Sequence, residues 1–211
     1  QKYISTGEEV NILNALVGQK LQQKKSLNSD IEYFKTRLFE SYKKKGLIHE
    51  KSDYTFTDKT LDNFFYIGLI KEIFPNAKVI HCRRNALSSI MSLLKNNLRV
   101  VSWAHNLEHI FKFFDIYYQT IQKFKKIYPN FIYELEYEKL VSDPGIESKK
   151  LMKFCDLAWD KKCLEFYKRK DLISQTASNI QIRKAIYKDS IKKYRPYKQF
   201  LSKYGDKYFW F

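Results

Sequence analysis

The stretch Phe74-Pro75-Asn76-Ala77-Lys78-Val79-Ile80-His81-Cys82-Arg83-Arg84-Asn85-Ala86-Leu87-Ser88-Ser89-Ile90-Met91-Ser92 sets the reading of everything around it. Pro75-Asn76-Ala77 turns the chain. Residues 78–82 are a short, mostly apolar run, the pattern of a buried parallel strand. Two arginines end that run, and an apolar-periodic helix is predicted over 87–96. Guanidinium forks, hydroxyls and free backbone N–H groups at such a junction suit a phosphate. Ser92 stands two helical turns beyond Arg84, near the face of Ser88 and Ser89. On residue chemistry alone the segment reads equally as a phosphate cradle or as a surface arginine pair followed by ordinary helix serines.

Outward from this junction, strands and helices alternate. Upstream, Val10, Leu13, Leu16 and Val17 give a helix, with Glu8 and Glu9 expected at its positive end. Asn28-Ser29-Asp30 begins a second helix that Gly46 ends. Residues 54–57 read as a short strand and 61–74 as helix. Downstream, a long helix is predicted over 103–126 and a strand over 131–135; the remainder is mostly helical, apart from a polar stretch over 174–181. This order implies an α/β fold with a parallel sheet, in which ligands sit beyond the carboxyl ends of the strands.

The bulk numbers fit one domain with a full core. Hydrophobic residues make up 44% of the 211, too many for a disordered chain. No apolar run approaches the roughly 20 residues that span a bilayer. Residues 1–7 lack the charged and apolar regions of a signal peptide, and without an initiating Met the chain reads as a processed product or a fragment. The net charge of +16 calls for an anionic partner, although the Lys-rich bias also fits an AT-rich genome. Cys82, Cys155 and Cys163 form no C-x-x-C pair and leave one odd, which favours reduced, buried thiols over a disulfide framework, and the compartment is taken to be cytoplasmic.

The segment 74–92 closely resembles the 3′-phosphate-binding motif of sulfotransferases, in which an Arg ending a strand is followed eight residues later by a Ser. Arg84 and Ser92 keep that spacing; Arg83 does not, because Met91 stands eight places beyond it. Thr57-Asp58-Lys59, Asn63-Phe64 and Ile67-Gly68-Leu69-Ile70 resemble the preceding segment in bacterial tetratricopeptide-repeat-linked sulfotransferases, themselves similar to tyrosylprotein sulfotransferases. Tyr137-Glu138-Lys139-Leu140 resembles their Tyr-Glu-x-Leu element. Residues 176–184, continuing to Lys193-Tyr194, resemble the loop that closes over the donor. The resemblance covers most of the chain, in the family's order.

It implies a P-loop NTPase-like sulfotransferase fold over residues 1–211, with a central parallel sheet flanked by helices. The implied reaction moves a sulfuryl group from 3′-phosphoadenosine 5′-phosphosulfate (PAPS) to an acceptor hydroxyl. Adenosine 3′,5′-bisphosphate is the product, and no metal is needed. In this reading Glu8 is the general base, Lys59 neutralises the leaving phosphate and Ser178 bonds the sulfuryl or phosphate oxygens. Arg84 and Ser92 hold the 3′-phosphate. Tyr137, Ser178, Gln181, Ile182, Lys184 and Lys193 contact the rest of the donor. Each residue has a plainer reading: Glu8 as helix-start acid, Lys59 as one more solvated lysine, Ser178 as a loop serine, Tyr137 as half-buried packing. The acceptor is a peptide tyrosine, a carbohydrate or a small molecule, and a homodimer is possible.

The family's 5′-phosphosulfate loop is expected upstream of Gly7-Glu8, where too few residues stand to contain it with its strand and helix, and no G-x-x-x-x-G-K-[ST] loop occurs elsewhere. The fold is therefore expected to lack its first strand and phosphate loop. Without that loop, an inactive sulfotransferase-like interaction domain is the plain alternative. A nucleic-acid-binding module would explain the charge, but no helix-turn-helix, zinc-finger or RNA-binding signature supports it. His105 and His109, four apart on the predicted long helix, lack a third ligand for zinc. Phe111, Phe114, Tyr118, Ile121 and Phe124 form an apolar stripe, the mark of a core or a dimer seam.

Overall fold

The computed structural model describes residues 4–23, 30–49, 55–96, 98, 101–169, 183–187 and 194–211. The chain divides into two units, Gln1–Ala77 and Lys78–Phe211, and among the described residues each contains one pair of parallel strands.

In the first unit, β1 (Ile4–Thr6) pairs in parallel with β2 (Thr55–Thr57), Ile4 opposite Thr55 and Thr6 opposite Thr57. The sequence reading anticipated β2 and missed β1. Three residues are too few for alternation to register, although β-branched Ile4 and Thr6 suit a strand. The connection carries α1 (Ile12–Gln22) and α2 (Ile31–Lys44). Gly46 ends α2 as expected. At φ 71 it takes the left-handed position, the Gly46 N–H donates to Lys43 O and the Leu47 N–H to Tyr42 O. That crossed pair is a Schellman cap, which satisfies two of the helix's orphan carbonyls. Buried Leu13 and Val17 of α1 pack with Phe34, Leu38 and Tyr42 of α2 and with Leu47. The predicted helix over 61–74 is a 3-10 turn (Leu61–Tyr66) leading into α3 (Ile67–Ile73), whose Ile73 joins the same core.

In the second unit, β3 (Val79–Arg83) pairs in parallel with β4 (Ile132–Glu136), His81 opposite Glu134 and Arg83 opposite Glu136. Both strands were legible in the sequence. Between them run α4 (Ala86–Asn96) and α5 (Leu107–Ile127). The expected helix over 103–126 is interrupted: Ser102–His105 is a 3-10 turn, and Asn106, with extended backbone, caps α5 by accepting from the His109 N–H. His105 and His109 therefore do not share a helix, which corrects the i, i+4 pairing. After β4 come α6 (Tyr137–Ser142), α7 (Pro144–Phe154) and, near the end of the chain, α8 (Lys198–Ser202).

The apolar stripe of α5 is core. Phe111 is fully buried and stacks on Tyr204 at 4.3 Å between ring centroids, with Tyr208 and Trp210 alongside. Tyr118 stacks on Trp210, whose indole N–H donates to Asp115. Leu87, Ile90 and Met91 of α4 and Leu201 of α8 complete this cluster. Trp159, flanked by Cys155 and Cys163, donates its indole N–H to Ser148 Oγ of α7, in keeping with a packing role. Cys155 and Cys163 are only partly buried and Cys82 is exposed, which corrects the expectation of buried thiols. Among the described residues, no helix is long and apolar enough to cross a membrane.

Candidate functional site

At the carboxyl end of the β1–β2 pair the two chains stay laced together beyond the strands. The Gly7 N–H donates to Thr57 O at 3.0 Å, and the Lys59 N–H donates to Glu8 O at 3.1 Å. Gly7 is required there, because a Cβ would stand 2.2 Å from Thr57 O and 3.0 Å from Leu47 Cδ1. The Asp58 carboxylate accepts from the Thr60 N–H and from the Tyr42 hydroxyl, which fixes the turn that follows β2. Thr60 Oγ1 in turn accepts from the Asn11 N–H. This frame places the Lys59 ammonium 2.7 Å from Glu8 Oε2.

Both side chains remain about half exposed, 44% for Glu8 and 54% for Lys59. An ion pair so open to water contributes only about 0–1 kcal/mol to stability. The arrangement therefore does little for the fold, and it places a carboxylate and an ammonium side by side at the end of parallel strands. Glu8 is not a helix-start acid; α1 begins at Ile12 with Asn11 as its N-cap, and its first turn holds no acid. The strand pair and Lys59, rather than a helix dipole, orient the carboxylate.

In the second unit the β3–α4 junction holds the arginine pair, Arg83 as the last residue of β3 and Arg84 just beyond it, and their side chains take different partners. Arg83 is committed to the neighbouring strand, with Nε 3.1 Å from Glu134 Oε1 and a terminal nitrogen 3.8 Å from Glu136 Oε1. The Arg84 guanidinium instead lies over the ring of Tyr137, 5.4 Å from its centroid, within cation–π range. Tyr137 opens α6 just past β4, so two of the sequence-selected residues meet. Ser92 lies six residues into α4, about 9 Å along its axis, and accepts from the Asn96 side-chain amide at 3.3 Å.

The expectation of free N–H groups at this helix start is corrected in part. The Asn85 N–H donates to Glu138 Oε1, and the Ser88 N–H donates to Asn85 Oδ1 as the helix cap. Lys184 is exposed in the short described segment 183–187. Ser178, Gln181, Ile182 and Lys193 lie outside the described residues.

Behind Arg83 is a charged layer that the sequence reading passed over. Glu134 takes Lys125 of α5 on one oxygen and Arg83 on the other, and His81 Nδ1 faces it at 3.5 Å. The Tyr117 hydroxyl meets His81 Nε2. Burial lowers the His81 pKa to about 4, so the ring is neutral near pH 7. A neutral ring with its proton on Nδ1 accepts from the Tyr117 hydroxyl at Nε2, while the buried Nδ1, 3.5 Å from Glu134, makes no hydrogen bond among the described residues. Burial also raises the Tyr117 hydroxyl. For Glu134, burial pushes its pKa upward, but Lys125, then Arg83 and His81, hold the carboxyl below its usual range. The signal was present at period two: His81 and Arg83 on β3, Glu134 and Glu136 on β4.

A model of the Sulfotransferase family matches residues 5–161, well over half of the chain. The chain belongs to the Sulfotransferase family. An uncharacterized protein of Aquifex aeolicus (strain VF5) is 38% identical over 149 residues, 69% of this chain and 19% of that protein. The chain thus spans about a fifth of the length of the curated relative it matches.

Among solved structures, it is similar to the sulfotransferase domain of the Synechococcus PCC 7002 olefin synthase. That likeness has 19% identity and a TM-score of 0.54, and covers 86% of this chain and 61% of that one. The sulfotransferase domain of the curacin biosynthetic pathway is similar at 15% identity and a TM-score of 0.50, over 80% and 68% of the two chains. At such identities the likeness is one of fold: α/β with parallel strands, of the P-loop-like sulfotransferase type.

Proposed function

We propose that this chain carries the acceptor-activating and 3′-phosphate-binding parts of a PAPS-dependent sulfotransferase. The observation that carries the reading is the Glu8–Lys59 pair, a carboxylate and an ammonium 2.7 Å apart where β1 and β2 end. The donor would supply an activated sulfuryl group on its 5′-phosphate, which passes to an acceptor hydroxyl as the bond from sulfur to the phosphate oxygen breaks. Glu8 takes the proton of the attacking hydroxyl. Lys59 offsets the charge that gathers on the departing phosphate oxygen. Arg84 and Ser92 hold the 3′-phosphate, and Tyr137 supports the Arg84 guanidinium from below. Ser178, Gln181, Ile182, Lys184 and Lys193 remain assigned to the donor by family resemblance alone. The acceptor bears a hydroxyl, and residues 1–211 act as one sulfotransferase domain.

The test is calorimetric titration of adenosine 3′,5′-bisphosphate and of adenosine 5′-monophosphate into the wild type and an Arg84→Ala variant. The bisphosphate should bind the wild type more tightly, and Arg84→Ala should remove about tenfold or more of that preference. Equal affinity for the two nucleotides would sink the 3′-phosphate assignment.

A further inference from the structure

The face of the β3–β4 pair that meets α5 would ordinarily be apolar in an α/β fold. Here it carries His81, Arg83, Glu134 and Glu136 from the strands and Lys125 and Tyr117 from α5. Taking so many charges partly out of water costs stability that an apolar layer of the same volume would not. What such a layer provides instead is a fixed geometry, because its members must stay in one arrangement to remain paired. That geometry centres on Glu134. Its carboxylate spans from Lys125 on the helix to Arg83 at the last residue of β3, with His81 packed between on the same strand. Arg83 is the diagonal neighbour of Glu134 across the ladder, and its Cα partner Glu136 supplies a second carboxylate at 3.8 Å.

The next residue after Arg83 is Arg84. Two adjacent guanidinium groups repel each other. Glu134 answers this by neutralising Arg83, and it also ties the end of β3 to α5, while the Asn85–Glu138 bond ties the start of α4 to α6.

We propose that Glu134 is a positioning residue for nucleotide recognition: by clamping Arg83 to Lys125 it holds the end of β3 so that Arg84 faces the 3′-phosphate. This rests on the 3′-phosphate reading of Arg84. The test again compares adenosine 3′,5′-bisphosphate with adenosine 5′-monophosphate by calorimetry, in the wild type, Glu134→Gln, Arg83→Gln, Glu136→Gln and Arg84→Ala, with thermal unfolding alongside. Arg83 is 41% exposed, so its variant keeps the question open should Glu134→Gln fail to fold.

Glu134→Gln and Arg83→Gln are each expected to cut the preference for the bisphosphate about tenfold while the monophosphate binds as before. Glu136→Gln, at the longer contact, should change it less than about twofold. A purely structural role would lower both affinities together or shift only the melting temperature, and that pattern overturns the proposal. Retention of the full preference in the Glu134 and Arg83 variants, while Arg84→Ala loses it, overturns it as well and leaves the 3′-phosphate reading standing. If Arg84→Ala also keeps the preference, or the wild type shows none, the donor reading fails and this inference fails with it.

Discussion

The ends of the two strand pairs handle charge in opposite ways. Beyond β1–β2 there is one carboxylate and one ammonium, both half exposed, held by a backbone that is itself tightly specified through Gly7, Thr57 and Asp58. Beyond β3–β4 the exposed end is served from behind by a charged layer in which Glu134 meets Lys125, Arg83 and His81 together. The first arrangement lets side chains exchange partners at little cost, as the proposed base and cation would have to during a reaction. The second resists exchange, as would suit the proposed recognition of a fixed anion. Rigidity is supplied by main chain in one place and by side-chain electrostatics in the other.

The comparison breaks most sharply at Glu8. Glu8→Gln should lower sulfuryl transfer from the labelled donor to a simple phenol by about 10²–10⁴-fold. Its unfolding free energy should stay within about 0.5 kcal/mol of the wild type, because an exposed pair contributes so little. A large loss of stability with turnover preserved would invert the reading of that pair.

Gly7→Ala tests the main-chain side of the comparison. A methyl group 2.2 Å from Thr57 O forces the two strand ends apart, at an expected cost of about 3 kcal/mol in urea unfolding. Turnover should fall with it, because Glu8 follows directly. A neutral effect would mean that the close approach of Gly7 and Thr57 does not hold the frame.

Acid titration probes the buried side. His81 has its pKa lowered from about 6.5 to about 4, chiefly by burial, with Glu134 opposing and Lys125 and Arg83 adding to the shift. The unfolded chain therefore binds the proton more readily than the folded one. This contribution is complete above about pH 6.5 and is lost progressively as the pH falls towards 4, up to about 3 kcal/mol in all. His81→Gln should flatten the stability profile across that window, as followed by urea unfolding at stepped pH. A profile unchanged by the substitution would show that His81 is not the group that titrates.

How much of this was legible in the chain differs between the same two regions. At β3 the apolar run, the arginines and the serine spacing announced strand, junction and helix together, because each depends on neighbours in sequence. At β1 the chain offered only Ile4-Ser5-Thr6, and the strand exists because β2, some fifty residues away, supplies its hydrogen bonds. The role proposed for Glu8 rests on resemblance, and the helix-start placement attached to it does not hold. A helix-start acid and a strand-end acid look alike until the cap at Asn11 is seen. The helix interruption at Asn106 was hidden for a similar reason: apolar periodicity runs straight through a cap whose geometry turns on a single residue's backbone.

By itself, then, the sequence determined the alternation of strands and helices, the stop at Gly46, the arginine–serine spacing and membership of a family, all carried by local periodicity and residue chemistry. Tertiary structure alone decided that Lys59 meets Glu8 across a span of 51 residues, that Arg83 and Arg84 part company, and that the α5 stripe is covered by Tyr204, Tyr208 and Trp210. The physical reason is that periodicity reports which face a side chain occupies, whereas the group opposite that face is set by how distant segments pair and pack.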